Sequence, residues 1–419
     1  MEFKLKTLAQ INQKSLKKAT FPEDIVYLDT KNLTNGKFEE LVYFNKSKDK
    51  IPSRARRIVQ KNDILISTVR PNQKHYGFIT KDKENYIVST GFAVITPDET
   101  KVNPYFLYKY LTLDSITNYL QNIAENSTSA YPAIKPSVLS ELSIILPDKT
   151  IQDYISKLLR SIDNKIDLNE QIIANLEELS QTLFKRWFVD FEFPDENGNP
   201  YKSSGGEMID SELGMVPKGW NFEKLKLLIE NIKDNIRTKS LSQEDRYVPI
   251  DLIPKRKLTF YDYKSSNEAK SSLIKFKKND ILLGSMRVYF HRVSLAPFDG
   301  ITRNTVFTLR PRDERYLYYL LNALNKDDFI QYAANNSKGS TMPYAVWDGI
   351  LDEVTVLNPP IQYLIEFNSI VQKYFDISII LLKQNRQLED LRDTLLPKLM
   401  SGEIEIPDDI EVNEDELSI

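Results

Sequence analysis

Two short basic stretches of this 419-residue chain combine residue types that suit polar recognition at a surface. STVRPNQKHYG carries Arg70, Lys74, His75 and Tyr76; GSMRVYFHR carries Arg287, Tyr289, His291 and Arg292. Arginine can read guanine bidentately in a major groove, while lysine and tyrosine suit phosphates. Both histidines of the protein fall here, at points that look equivalent. Two hydroxyl-rich loops, NSTSAYP and KGSTMPY, add Ser127, Thr128 and Tyr131, and Lys338, Ser340, Thr341 and Tyr344. A dense basic run, Lys46, Lys48, Lys50, Arg54, Arg56 and Arg57, would supply non-specific phosphate affinity beside a groove.

Catalysis finds little support. Asn358-Pro359-Pro360-Ile361 resembles the Asn-Pro-Pro-aromatic motif of amino-methyltransferases, but the aromatic that would stack on a flipped base is Ile361. No Gly-rich loop follows a strand to hold a nucleotide-like cofactor. Pro97-Asp98-Glu99-Thr100-Lys101 echoes a nuclease pattern, yet its carboxylates are contiguous and read as a surface turn. There is no cysteine, which excludes disulfides and thiolate metal sites, and two histidines leave little scope for metal or triad chemistry. No metal site is expected, and by elimination the chain is a binding or scaffolding protein.

The elements that must position these loops occur twice. KNDILIS at Lys61 returns as KNDILLG at Lys278, VSTGFAVITP as TRNTVFTLRP, and STSAYPAI as STMPYAVW. NLEELSQTLFKRWF aligns with QLEDLRDTLLPKLM. Several matches in order make a duplication, and a repeat found early governs the reading of the whole fold. Each copy opens with short β-rich runs and a helical stretch, punctuated by Gly, Pro and Asn.

Each copy closes with one long helix. In the first, Ile151, Ile155, Leu158, Ile162, Ile172, Leu176, Leu179 and Leu183 recur at steps of three and four, with Lys165 and Asn169 interrupting the seam. The second seam runs through Phe367, Ile370, Tyr374, Leu381, Leu388, Leu391, Leu395 and Leu399. About 37 helical residues would span roughly 55 Å. Such a helix with one apolar seam needs a partner, and its own duplicate fits as a coiled coil. Phe193 to Trp220 reads as an irregular connector.

Net charge follows the same period: +6 over residues 1–150, −7 over 151–216, +6 over 217–360 and −8 over 361–419. Two basic lobes point to a polyanion more clearly than the whole-chain net charge of −3 does. No apolar run approaches the ~20 residues that cross a bilayer, and MEFKLKTLAQ lacks a signal core, so a cytoplasmic location without membrane contact is expected.

The order lobe, helix, lobe, helix, with LFKRWFVDFEFPDENGNPYKSSGGEMIDSELGMVPKGW at the centre and LRDTLLPKLMSGEIEI near the end, resembles the specificity subunits of type I restriction-modification systems. The resemblance covers essentially the whole chain. It implies an α+β fold: two mixed α/β target recognition domains separated by two long helices that form an antiparallel coiled coil, as a pseudo-two-fold repeat. The expected boundaries are 1–150 and 217–360 for the recognition domains, 151–192 and 361–402 for the spacer helices, 193–216 for the connector and 403–419 for an acidic tail. Each lobe would read one half of a split double-stranded DNA site, with the helices setting the gap. The chain itself would be non-catalytic and hold no cofactor. Two methyltransferase subunits using S-adenosylmethionine, and restriction subunits using ATP with Mg, would be its partners. A coiled-coil scaffold with nucleic-acid-binding lobes, or a stand-alone adenine methyltransferase, are the alternatives.

Overall fold

A computed structural model describes residues 1–16, 22–39, 41–81, 85–126, 132–211, 214–270 and 272–404. The chain divides into two compact units, Met1–Asn164 with Asp390–Ile419, and Lys165–Glu389. Each unit combines one lobe with stretches of both long helices, Lys149–Phe188 and Ile361–Ser401.

The two lobes share a four-stranded antiparallel sheet. In the first, the strands run in the order Ala9–Ile11, Phe92–Pro97, Ile64–Ser67, Tyr76–Phe78. In the second they run Ile229–Asn231, Val306–Pro311, Ile281–Gly284, Val293–Leu295. The central strands ILIS and ILLG are buried on both faces, which is why they read as continuous apolar runs rather than alternating ones. A second sheet packs behind each. In the first lobe it is Val42–Asn45, Asp24–Leu28, Tyr86–Ser89, Ala55–Ile58, and in the second lobe it has five strands. Paired helices follow, Pro104–Leu111 with Asp114–Glu125, and Leu317–Leu324 with Asp327–Asn335. Asn103 caps the first of these by accepting from the backbone N–H groups of Tyr105 and Phe106, and Pro104 fits the first helical position.

Within each unit the long helices run antiparallel. Ile155 and Leu159 share a core with Leu396, Leu399 and Met400 in the first unit. Phe184, Trp187 and Phe188 share one with Phe367 in the second. The buried stripe of the first helix is Ile155, Leu159, Ile162, Ile166, Asn169, Ile173, Glu177, Ser180, Phe184 and Trp187. The seam expected through Leu176 and Leu179 is therefore corrected: Leu179 is half exposed and Leu391 of the second helix nearly so. Three polar residues occupy core positions, and an apolar count steps around them. Asn169 is fully buried, and its amide donates to Gln384 Oε1 at 2.9 Å and to Asn385 Oδ1 at 2.8 Å. Glu177 accepts from the Thr259 backbone N–H at 2.8 Å and from its hydroxyl.

The connector is ordered by aromatic packing. Phe193, fully buried, stacks on Tyr201 and Trp220 with centroids 4.6 and 4.8 Å apart. Its edge meets Tyr363 at the start of the second long helix.

Candidate nucleic-acid interface

The repeated KNDIL is a turn that starts the central strand, and both copies are built alike. Asn62 and Asn279 both take the left-handed backbone, φ 70°, which asparagine tolerates better than most residues. Asp63 and Asp280, both buried, accept from the backbone N–H three residues earlier, Gln60 and Lys277, at 2.8 and 2.7 Å. Each carboxylate then reaches the neighbouring strand. Asp63 accepts from the Thr96 hydroxyl at 2.7 Å, whereas Asp280 holds Arg310 bidentately at 2.7 and 2.8 Å. The motif is structural, and what it positions is the loop at the far end of the strand.

That loop has one backbone in both lobes. A left-handed residue, a 3₁₀ turn and a second left-handed residue succeed one another: Arg70, Pro71–Gln73, Lys74 in the first lobe; Arg287, Val288–Phe290, His291 in the second. The loop is stitched to the hydroxyl-rich loop by matching bonds. Arg70 N–H donates to Pro132 O at 2.9 Å and Arg287 N–H to Pro343 O at 2.7 Å. In return Ile134 N–H donates to Thr68 O at 2.8 Å and Ala345 N–H to Ser285 O at 2.9 Å. At the loop base the Thr68 and Ser285 hydroxyls donate to Gly91 O and Thr305 O. In the second lobe the two loop classes found separately in the sequence thus form one surface.

In the second lobe that surface gathers most of the expected residues. Arg287, Tyr289, Lys338, Ser340, Thr341 and Tyr344 are all exposed. Lys338 and Tyr344 exchange backbone hydrogen bonds of 2.9 Å, closing a small hairpin around Gly339, whose φ of 90° a side chain would strain. His291 and Arg292 turn inward. His291 is 3% exposed, its Nε2 donating to Asn325 O at 2.9 Å, so it anchors the loop. Arg292 turns under the loop to donate to Asp251 O at 3.2 Å and to Ile253 O.

The first lobe offers less. Arg70 is exposed, but Lys74 is paired with Asp114 at 2.6 Å. His75 is turned inward, its Nδ1 donating to Leu33 O at 2.7 Å. Tyr76 begins a strand and donates its hydroxyl to Asn35 at 2.7 Å; burial and then the Asp114 charge push that hydroxyl up to about 12. The second left-handed positions equate Lys74 with His291, so the two histidines are offset by one residue and not equivalent. Pro132 likewise matches Pro343, which makes Ala133, not Tyr131, the counterpart of Tyr344. Ser127, Thr128 and Tyr131 lie outside the described residues.

Of the upstream arginines, Arg54 is exposed with its guanidinium near Gly91 at the loop base. Arg56 and Arg57 lie on the strand Ala55–Ile58; Arg57 donates to Ser15 Oγ at 3.2 Å, and burial pushes its guanidinium down. Met342 and Arg303 in the second lobe and Asn72 in the first are also exposed. Arg303 ends the strand Gly300–Arg303, with two residues between it and the strand paired with ILLG. Asn358 ends a strand paired with Asn221–Lys224 and accepts from Tyr316 OH at 2.7 Å, so the NPP sequence finishes that strand and starts a helix. Among the described residues no cluster of His, Cys, Asp and Glu could hold a metal ion, and no helix is long and apolar enough to cross a membrane.

Residues 1–178 match the family model described as the type I restriction modification DNA specificity domain. The chain is 27% identical to the type I restriction enzyme HindI specificity subunit of Haemophilus influenzae, covering 91% of this chain and 94% of that protein. To the MjaIX specificity subunit of Methanocaldococcus jannaschii it is 28% identical, over 91% of this chain and 87% of the other. Among solved structures, the type I restriction-modification S subunit from M. genitalium aligns with a TM-score of 0.55 at 14% identity, covering 95% of both chains, which is a likeness of fold.

Proposed function

We propose that this chain acts as a type I restriction-modification specificity subunit, a DNA-binding and non-catalytic component of a larger complex, and that its two lobes read the two halves of one bipartite site. The target recognition domains are residues 1–150 and 217–360, joined by the connector 193–216. The observation that carries this reading is the duplicated loop pair, stitched by the same hydrogen bonds in both lobes and exposing an arginine in each. Arg70 and Arg54 would meet DNA from the first lobe, and Ser127, Thr128 and Tyr131 are kept as candidates there. Arg287, Tyr289, Lys338, Ser340, Thr341 and Tyr344 would do so from the second. Arg303 and Asn72 join this set.

The 40-residue first helix, about 60 Å at ~1.5 Å per residue, is the spacer that sets the gap between half-sites. Exposed apolar residues on the long helices, Leu168, Leu179, Ile377 and Ile380, are the kind of surface a protein partner covers. They support docking of two methyltransferase subunits that bring S-adenosylmethionine. Restriction subunits would add ATP and Mg, and the whole would act in the cytoplasm.

Co-expression with the methyltransferase subunit encoded beside it, followed by mapping of adenine methylation across a host genome, tests the reading. One bipartite motif with a fixed gap is expected. No motif, or a motif that persists when this chain is deleted, overturns it.

A further inference from the structure

We propose that Arg287 is a specificity-determining residue of the second lobe and reads a guanine, so that the half-site under this lobe contains a G·C pair whose recognition depends on this one side chain. The inference rests on the DNA-recognition reading above and names the base class that the reading leaves open.

The first argument is the backbone. Arg287 holds φ 47° and ψ 54°, a conformation that residues with a Cβ populate sparsely and that persists only where the surroundings enforce it. The enforcement is visible on both sides. Upstream, Met286 bridges to Tyr344 and the Ser285 hydroxyl donates to Thr305 O at 2.8 Å. At Arg287 itself the N–H is bound to Pro343 O and the carbonyl accepts from Phe290 N–H at 2.8 Å. Downstream, Val288 is buried beneath the loop and His291 is locked to Asn325. The Cα of Arg287 is thereby fixed. Arg70 in the first lobe repeats the conformation, φ 48° and ψ 67°, although the turn that follows is Pro-Asn-Gln there and Val-Tyr-Phe here. A strained geometry kept while its neighbours change is one that the lobe uses.

The second argument is the side chain and its company. Arg287 is exposed, and among the described residues it makes no ion pair. Neither the loop SMRVYFHR nor the hairpin SKGSTMPYAV contains an acidic residue that could neutralise it. Its exposed neighbours in those loops include Tyr289, Met342 and Tyr344, each close to half exposed. Apolar groups beside a base edge can meet a thymine methyl group, a contact that a phosphate does not offer. A rigidly placed fork of N–H donors with apolar flanks suits guanine O6 and N7. The lysines that suit the phosphate backbone, Lys275, Lys277 and Lys278, lie at the other end of the strand that carries the loop.

The test is methylation mapping by the full complex with wild-type chain, Arg287→Gly, Arg287→Lys and Arg70→Gly. Glycine is the informative substitution because it favours the left-handed backbone and removes the side chain without straining the loop. Arg287→Gly is expected to relax one G·C position in one half-site, lowering discrimination there roughly 5- to 150-fold, with the other half-site and the gap unchanged. Arg287→Lys, which loses the bidentate fork, should relax the same position in part. Arg70→Gly should act on the opposite half-site. If wild type gives a bipartite motif and Arg287→Gly leaves every position of it as strict while methylation falls uniformly, Arg287 is a phosphate contact and the assignment is overturned. A wild-type half-site without G·C also overturns it. A wild type that gives no bipartite motif brings down the DNA-recognition reading itself, and this assignment with it.

Discussion

Four equivalent positions seat each lobe on the long helices, and the two units fill them with opposite chemistry. In the first unit they are Tyr105, Lys109, Asp163 and Arg392. Asp163 pairs with Lys109 at 2.6 Å and with Arg392 at 2.9 Å, and accepts the Tyr105 hydroxyl. In the second unit the same places hold Tyr318, Asn322, Phe375 and Ser180. Tyr318 packs on the Phe375 ring at 5.1 Å, and the Asn322 amide donates to Ser180 Oγ at 3.1 Å. The adjoining turn is aliphatic in the first unit, with Leu396, Leu399 and Met400, and aromatic in the second, with Phe184, Trp187 and Phe188. The two copies have kept the docking geometry while one relies on buried charge and the other on packing. A fold of this kind specifies where a side chain sits more tightly than which interaction it makes there.

The largest expected effect comes from breaking the charged seat. Asp163→Ala leaves the buried Lys109 without its counter-ion, while the partly buried Arg392 keeps Asp393 at 2.9 Å, and this should cost the first unit about 3 kcal/mol. The triple change Lys109→Asn, Asp163→Phe and Arg392→Ser copies the neutral seat and should recover most of that loss, since buried ion clusters are often replaceable by well-packed apolar groups. The readout can be separated by unit. All three tryptophans, Trp187, Trp220 and Trp347, lie in the second unit, so their fluorescence should stay unchanged while hydrogen exchange over residues 149–164 accelerates in Asp163→Ala. A fluorescence transition that moves with Asp163→Ala would mean that the units do not unfold independently.

How much of this was legible in the sequence follows from how local each feature is. KNDIL was visible because a turn is written in consecutive residues. Lys4-Leu5-Lys6-Thr7-Leu8 and Lys224-Leu225-Lys226-Leu227-Leu228, a pair absent from the matches above, each form a one-turn helix leading into an edge strand. The fate of His291 was not legible, because it depends on Asn325, 34 residues away. Nor was the helix seam, where Asn169, Glu177 and Ser180 sit inside and Leu179 outside; hydrophobic periodicity assumes that buried positions are apolar. For the interface, residue type proposed basic and aromatic side chains, and strand direction then decided among them. Of the four singled out after the second KNDIL, two project and two turn under the loop.

The turn itself differs between lobes in a way that a smaller perturbation resolves. Asp280→Asn keeps an acceptor for the Lys277 N–H but gives up the bidentate pair with Arg310, whose guanidinium that carboxylate pushes up. The expected loss is about 1.5–3 kcal/mol, seen as a lower denaturant midpoint by tryptophan fluorescence. Asp63→Asn retains a partner in the Thr96 hydroxyl and should cost about 1 kcal/mol or less in the first unit. Equal losses would mean that the Arg310 pair adds nothing to the turn that a threonine does not.

The finest distinction is in sign, between two carboxylates on the same helix. Burial would raise the Asp163 carboxyl, but Lys109, Tyr105 and Arg392 overcome it and hold the group below its ordinary value of 3.8. Its stabilisation is therefore present above that value and is lost as pH falls through it, because the unfolded chain then binds the proton more readily. At Glu177 burial prevails over the bonds from Thr259, and the carboxyl is pushed above its ordinary 4.5. Between 4.5 and that raised value the folded chain binds more protons than the unfolded one. Stability of the second unit consequently declines as pH rises through this window. Glu177→Gln keeps an acceptor for the Thr259 N–H and removes the charge, so it should stabilise the second unit at neutral pH and flatten the pH dependence of its tryptophan transition. Asp163→Asn should flatten the acid limb of the first unit alone. If Glu177→Gln instead destabilises at neutral pH, the ionised carboxylate and its two bonds to Thr259 outweigh burial, and the second unit depends on a buried charge as the first one does.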